Sequence, residues 1–255
     1  MGPAVETKGL TRMFGGVPAV DRLDLRVDRG TFYGFLGPNG AGKSTTIKML
    51  TGLLAASGGE ALVLGRNMFD VKESLEAKQR IGVVPEDLAL FENLTASEHL
   101  TFIGRMYLLP PATIRTRIEE LLQLLGLAGD EKKLVLEYSH GMRKKLALAA
   151  ALLPAPKLLF LDEPFEGIDA VASRQIKELL HSFVARGGTV FLTSHILEIV
   201  ERLSTHIGVI AAGRIVAQGA IADIRANAAA GARTLEELFI DLVGGERPLA
   251  DLNWL

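Results

Sequence analysis

The segment from Gly37 to Thr45 limits what this chain can fold into more than any other feature. It reads GPNGAGKST and contains the complete spacing G-x-x-x-x-G-K-S. Glycines let the backbone curl until successive N–H groups point at one anion. Lys43 adds a positive charge, and the Ser44 hydroxyl is a ligand for Mg²⁺. We therefore predict a phosphate-binding loop for a nucleoside triphosphate, formed by Gly37, Pro38, Asn39, Gly40, Ala41, Gly42, Lys43, Ser44 and Thr45.

The flanking residues suit such a loop. Thr31–Leu36 has the apolar pattern of a buried strand, and Thr45–Leu50 that of a helix whose N-terminus attracts anions. A plain tight turn would explain the glycines, but it would not explain Lys followed by Ser at the start of a helix.

Apolar runs predict further buried strands over Leu158–Leu161, Thr189–Thr193 and Ile207–Ile210, with a helix over Arg174–Ala185. Strands and helices in alternation predict an α/β fold around a mostly parallel sheet. Upstream of the loop, alternation over residues 23–28 predicts a half-buried strand.

Residues from about 88 to 153 show a helical period instead, and Thr95–Glu98 has the spacing of a capping box. We expect a helical subdomain inserted in one domain of residues 1–225. A small-residue linker and a helical tail are expected over residues 226–255.

Composition excludes several classes of protein. The 255 residues carry a formal net charge of −2, so no basic field attracts nucleic acid. Zero cysteines exclude disulfides and thiolate metal sites and suit a reducing cytosol. Leu146–Leu153 is the longest apolar run and is too short to span a bilayer, and the first residues resemble no secretory signal. We expect a soluble protein.

Polar residues at two strand ends predict the chemistry. Asp162 follows a buried strand, where a carboxylate can hold Mg²⁺, and Glu163 can accept a hydrogen bond from an attacking water. Two acids at a solvated strand end are the alternative. His195 follows the next apolar strand, where ligands of open sheets collect, and its imidazole can stabilise a γ-phosphate. Alone, it would more often be a surface or helix-capping histidine.

Ser139 and Gly141 precede the Leu146–Leu153 helix and offer a hydroxyl and backbone N–H groups to an anion. Taken alone, this segment is explained as well by an ordinary helix cap and a solvated basic turn.

In order and context, these segments resemble the ATP-binding subunits of ABC transporters, and within them the ATPases of bacterial ABC-2-type exporters. The resemblance covers Gly9 to about Gly219. It implies a P-loop NTPase (RecA-like) α/β fold, with a mostly parallel sheet core, an antiparallel β subdomain and an inserted α-helical subdomain. The segments that carry it are Gly37–Thr45, Tyr138–Met142, Leu158–Pro164, Asp169 and His195.

The resemblance also implies roles for individual residues. Phe14 corresponds to the aromatic residue that stacks on adenine, with a hydrophobic plug as the alternative. Asp169 lies in the loop that crosses a dimer interface. Two chains, as a homodimer or as paired ATPase subunits, would bind two ATP molecules head to tail. The signature motif that closes over ATP held by the second copy corresponds to Ser139, His140, Gly141 and Met142.

An Mg²⁺-dependent ATPase is implied, in which Lys43 holds phosphate and Glu163 and His195 act on the water and the γ-phosphate. Ser44, Asp162 and Glu86 would hold the metal. Separate transmembrane permease subunits would dock in a groove near Glu86 and the helical subdomain. The chain would then be cytoplasmic and peripheral on the inner face of the cell membrane, with no nucleic-acid partner.

Three departures from the family pattern stand out. His140 replaces a glycine and Met142 a glutamine of the usual signature. Glu86 replaces a glutamine, offers a hard oxygen to Mg²⁺ and adds a negative charge. Phe165 occupies a position where relatives often have Thr or Ser, with no consequence that we can derive.

Three alternatives stay open. A non-transport ABC ATPase is disfavoured because the chain has no long heptad insertion, second cassette or basic stripe. A small-molecule P-loop kinase leaves Glu163 and Ser139–Met142 unexplained. A module that holds ATP without cleaving it would be distinguished by Glu163→Gln.

Overall fold

The computed structural model describes residues 2–227 and 234–243. Eleven strands and nine α-helices are assigned within these residues. The strands are β1 (Val5–Phe14), β2 (Val17–Leu23), β3 (Arg26–Val27), β4 (Phe32–Leu36), β5 (Gly58–Val63), β6 (Arg66–Asn67), β7 (Ile81–Val84), β8 (Leu158–Asp162), β9 (Thr189–Ser194), β10 (His206–Ala211) and β11 (Arg214–Ala220). The helices are α1 (Lys43–Leu50), α2 (Val71–Lys78), α3 (Ala96–Met106), α4 (Pro111–Leu124), α5 (His140–Leu152), α6 (Ala170–Ala185), α7 (Leu197–Leu203), α8 (Ile221–Asn227) and α9 (Leu235–Val243).

The central sheet has the strand order β11-β10-β4-β9-β8-β7. Its strands from β10 to β7 run parallel, and β11 returns antiparallel as a hairpin. Leu36 lies opposite Ser194, and Asp162 opposite Thr193, so the carboxyl ends of β4, β8 and β9 form one edge. The predicted parallel α/β core is confirmed.

Other parts of the chain pack on both faces of the central sheet, so its strands are apolar without interruption. Phe32 and Leu36 of β4 belong to the core beneath the larger helices, whereas Tyr33 and Phe35 pack towards α1 and the second sheet. Every residue of β4, β8 and β9 is buried.

The second sheet is antiparallel, with the order β2-β1-β5-β6 and β3 paired to β1. One continuous strand over residues 23–28 is wrong, because β2 ends at Leu23 and β3 covers only Arg26–Val27. Asp24 and Leu25 separate the two strands, and Arg22, near the end of β2, has a left-handed backbone with φ of 46°. The alternation nevertheless identified the buried side chains, since Leu25 is 2% exposed.

Three helices, α3, α4 and α5, lie between β7 and β8. The predicted capping box is present: Glu98 N–H donates to Thr95 Oγ1, and Thr95 N–H donates to Glu98 Oε2 at 2.9 Å. α3 and α4 cross closely at Gly104, where an added Cβ would lie 2.7 Å from Ile114 Cγ1.

The short helix α9 follows Thr234, whose Oγ1 accepts a hydrogen bond from Glu237 N–H at 3.2 Å. Its Leu235 and Leu238 are buried. Residues 228–232 of the predicted linker and 244–255 of the tail lie outside the described residues. Among the described residues, no helix has the length and apolar character needed to cross a bilayer.

Candidate active site

The phosphate-binding loop links the end of β4 to α1 and is seated between two strands. An added Cβ at Gly37 would lie 2.4 Å from the Ile210 carbonyl oxygen of β10. At Gly42, where φ is 107°, an added Cβ would lie 2.5 Å from the Ala19 carbonyl oxygen of β2. Both positions therefore need glycine, because a side chain would collide with the neighbouring strand. Gly42 needs it also because its backbone is left-handed.

The first turn of α1 is free to bind an anion. Gly42 is its N-cap residue and provides no side-chain hydrogen bond to the turn. N–H groups at such a terminus combine with the helix dipole to favour phosphate.

Lys43 is buried, 7% exposed, and folds back over the loop. Its ammonium donates to the Gly37 carbonyl oxygen at 2.8 Å and lies 3.9 Å from Glu163 Oε1. It thus connects the phosphate-binding loop to the end of β8.

Asp162 and Glu163 lie side by side but have different surroundings. Asp162, 4% exposed, accepts a hydrogen bond from the Thr193 hydroxyl of β9. Glu163, 6% exposed, directs Oε1 towards Lys43 and Oε2 towards His195 Nδ1, 3.1 Å away. Its carboxylate is thereby held between two nitrogen groups at the carboxyl edge of the sheet.

The backbone of Glu163 adopts φ of 47°, a left-handed conformation that is unusual for a side-chain-bearing residue. Its N–H donates to the Thr193 carbonyl and hydroxyl oxygens, and its carbonyl accepts from Lys144 Nζ at 2.6 Å. Burial lowers the pKa of Lys144, while nearby carboxylates, Glu166 foremost, act in the opposite direction.

Ser44 and Glu86 approach each other from α1 and from the segment after β7, with Ser44 Oγ 3.4 Å from Glu86 Oε2. These oxygens, with Asp162, are hard donors of the type Mg²⁺ prefers. Within the described residues, no three His, Asp or Glu side chains form a metal site by themselves. Mg²⁺ typically takes one or two protein carboxylates and completes its shell with phosphate oxygens and water.

The phosphate-binding loop, Glu86, Glu163 and His195 enclose a cavity of about 350 Å³ with mainly polar walls, which Asp162 does not line. Nine of the predicted ATP-binding and catalytic residues line it, together with Ala19 and Glu166, which the sequence analysis did not identify. The nine are Asn39, Gly40, Gly42, Lys43, Ser44, Thr45, Glu86, Glu163 and His195.

Phe14 does not line this cavity. It ends β1 with 49% of its surface exposed, and the Arg12 guanidinium lies 4.6 Å from its ring centroid. Its proposed stacking on adenine stays a prediction.

The signature residues form a separate exposed surface. Ser139 caps α5 by accepting from Met142 N–H at 3.3 Å, and Asp169 caps α6 by accepting from Ala172 N–H at 2.8 Å. The α6 amides hold the pKa of Asp169 below its usual value. An added Cβ on Gly141 would lie 3.8 Å from Asp169 Oδ2, so both caps share one surface that does not line the cavity.

Sequence reasoning did not identify two residues that contact Glu163, namely Lys144 and Thr193. Lys144 lies in a basic run that suggests solvent exposure, yet it is 4% exposed. Helical spacing gives the missing signal, because Ala147, Leu148 and Ala151 follow at i+3, i+4 and i+7 on the buried face of α5. For Thr193 the sequence gives a weaker indication of a role in the site: it is a polar residue near the end of an apolar strand.

A family model described as ABC transporter matches residues 20–166. The daunorubicin/doxorubicin resistance ATP-binding protein DrrA of Streptomyces peucetius is 40% identical over 224 residues, 88% of this chain and 67% of the relative. The bacitracin transport ATP-binding protein BcrA of Bacillus licheniformis is 40% identical over 217 residues, 85% of this chain and 69% of the relative.

Solved structures agree in fold. An ATP-binding subunit of an ABC transporter superposes with a TM-score of 0.87 and 31% identity, covering 94% of this chain and 99% of that one. The ATP-binding cassette MJ0796, a dimer bound to ADP and Pi, has a TM-score of 0.78 and 24% identity, covering 85% of this chain and 98% of its own. Because its sequence identity is only 24%, the MJ0796 structure supports the fold and no more.

Proposed function

This chain belongs to the ABC transporter family as an ATP-binding subunit that hydrolyses ATP, and we propose that it powers export through separate transmembrane subunits. Export is favoured by relatives whose names refer to drug resistance and bacitracin transport. We place the subunit at the inner face of the membrane, where it would be held by that partner.

For hydrolysis, we assign phosphate binding to the loop amides and Lys43, and water activation to Glu163. Ser44, Asp162 and Glu86 would hold Mg²⁺, which when bound would neutralise charge on the phosphate oxygens. His195 Nδ1 lies 3.1 Å from Glu163 Oε2. A ring that donates there and also through Nε2 to the γ-phosphate would have to be protonated, because an imidazole nitrogen donates only when it carries a proton.

The observation that carries the proposal is a division between two surfaces. Lys43, Glu163 and His195 converge on the cavity, whereas Ser139 and Asp169 lie on another, exposed surface of the same chain. A head-to-tail dimer would bring the Ser139 surface of each copy over the ATP of the other.

The test is Glu163→Gln, which keeps the size of the side chain and removes the charge of the proposed base. We expect steady-state ATP hydrolysis to fall by at least about 100-fold while ATP-dependent dimerisation persists. Unchanged turnover would refute the role of Glu163, and a strictly monomeric ATP-saturated variant would refute the dimer.

For the membrane partner, we propose a groove of about 240 Å³ between α3, α5 and the segment after β7. Leu88, Leu90 and Ile103 give it apolar walls, and His99 Nδ1 is a buried atom without a hydrogen-bond partner among the described residues. A short partner helix with apolar side chains and one polar group would complement these walls.

The groove is tested with the exposed residue Ala89, which lies on its rim. Ala89→Trp should abolish co-purification of the integral-membrane companion from detergent-solubilised membranes and leave the ATPase of the isolated subunit unchanged. Val71→Trp, at a residue 87% exposed that does not line the groove, is the control. Equal recovery of the companion with both variants would contradict the proposed docking site.

A further inference from the structure

Lys144 is a buried cation that the proposed chemistry does not use. It lies on α5, the helix that begins at the signature residue Ser139, and its side chain reaches the end of β8. Burying an ammonium is costly unless a specific interaction compensates for it. Its hydrogen bond is to the main-chain carbonyl of Glu163, at 2.6 Å, rather than to a carboxylate.

The backbone of Glu163 is in an unfavourable conformation, with φ of 47°. A left-handed backbone at a residue with a side chain is strained and persists only where the surroundings hold it. Three residues hold the backbone of Glu163: Thr193 of β9 accepts its N–H, Lys144 of α5 donates to its carbonyl at 2.6 Å, and the Glu166 N–H donates to the same carbonyl at 3.3 Å. The direction of the Glu163 side chain depends on this backbone, because Cβ orientation follows φ and ψ.

We propose that Lys144 is a positioning residue that fixes the orientation of Glu163 and links it mechanically to the signature helix of the same chain. This inference rests on the proposed role of Glu163 in hydrolysis. A shift of α5 when Ser139 engages the opposite ATP would act on the Glu163 carbonyl through the rigid helix. The arrangement lets occupancy of one nucleotide site set the geometry of the water-activating group in the other.

The neighbouring charges suit this role. The carboxylates that act on Lys144 are those of Glu166, Glu163, Glu86 and Asp162, all at the rim of the nucleotide cavity or next to it. They stabilise a charged ammonium without displacing it from the carbonyl. An apolar side chain at this position would lose both the hydrogen-bond donor and the attraction to these carboxylates.

The experiment compares Lys144→Met, which removes the ammonium at similar volume, with Lys132→Met, which removes one exposed charge outside the site. For Lys144→Met we expect kcat of ATP hydrolysis to fall by about 10- to 100-fold, because misplacement of a reacting group by about 1 Å can cost that much. The Kd for ATP should stay within about twofold, and Lys132→Met should match the unmodified chain.

A double-mutant cycle separates positioning from a general structural role. In single-turnover assays with γ-labelled ATP, Lys144→Met should cause no further loss in the Glu163→Gln background. If Lys144→Met does not fold, Lys144→Leu, which also lacks a donor, replaces it under the same criterion. An unchanged kcat, or a loss that adds fully to that of Glu163→Gln, would overturn the proposal for Lys144. A Glu163→Gln protein with unchanged turnover would instead overturn the proposed function.

Discussion

Four glycines allow the structural demands on the phosphate-binding loop to be measured one at a time. Gly40 has φ of 79° and open space where a Cβ would lie, so Gly40→Ala adds backbone strain alone. Gly37 lacks a positive φ, and its added Cβ meets the Ile210 carbonyl oxygen at 2.4 Å, so Gly37→Ala adds a contact alone. Gly42 has both features, and Gly58 of β5 has neither.

The expected magnitudes follow from these geometries. A left-handed alanine costs about 1–2 kcal/mol, and overpacking against fixed atoms costs about 1–3 kcal/mol. Gly42→Ala should therefore lower the free energy of unfolding by about 2–5 kcal/mol, more than Gly40→Ala or Gly37→Ala. Gly58→Ala should lie within about 0.5 kcal/mol of the unmodified chain.

The assay is thermal unfolding of the nucleotide-free proteins, in which 1 kcal/mol corresponds to a change in Tm of about 2–4 °C at this chain length. A calorimetric titration with ATP should show the weakest binding for Gly42→Ala, since its Cβ pushes the loop away from Ala19. The reasoning is refuted if Gly42→Ala is no less stable than Gly40→Ala, or if Gly58→Ala is as harmful as either.

The remaining predictions concern single side chains. Thr95→Ala removes the capping box of α3 and should cost about 1 kcal/mol, seen as a Tm lower by about 2–4 °C with unchanged ATP affinity; an unaltered Tm would argue against it. His195→Ala should lower kcat by about 100-fold at an unchanged Kd for ATP, and a change in Kd alone would exclude the assigned role. Ser139→Ala should spare ATP binding by the monomer and reduce turnover at dimer-forming concentrations; full turnover would contradict a role across the dimer. Because the pKa of Asp169 is lowered, its stabilisation is complete above the ordinary pKa of about 3.9 and is lost as pH falls through the lowered value. Acid titration of Tm should show this loss, which Asp169→Asn must abolish.

The strands of the core could be predicted because burial on both faces demands unbroken apolar runs, as in Leu158–Leu161 and Thr189–Thr193. By contrast, β7 has only four residues and includes Gly82, so its pattern alone did not identify a strand. The strand predicted over Ile207–Ile210 begins one residue too late, because the polar residue His206 opens β10 and breaks the apolar pattern.

The site was predictable where function depends on neighbours in sequence, as in Gly37–Thr45 and Asp162–Glu163. Contacts between distant segments were not. The approach of Lys144 to Glu163 joins a helix and a strand end 19 positions apart, and the 3.4 Å contact of Ser44 with Glu86 spans 42 positions. Such pairings depend on sheet order and helix rotation, which residue types alone do not determine.

The most direct measurement is a structure of the Glu163→Gln protein saturated with Mg²⁺ and ATP. We predict two copies with two nucleotides between them, each triphosphate on the Gly37–Thr45 loop of one copy and beneath Ser139 of the other. A nucleotide bound away from that loop, or a single copy whose Ser139 faces only solvent, would contradict it.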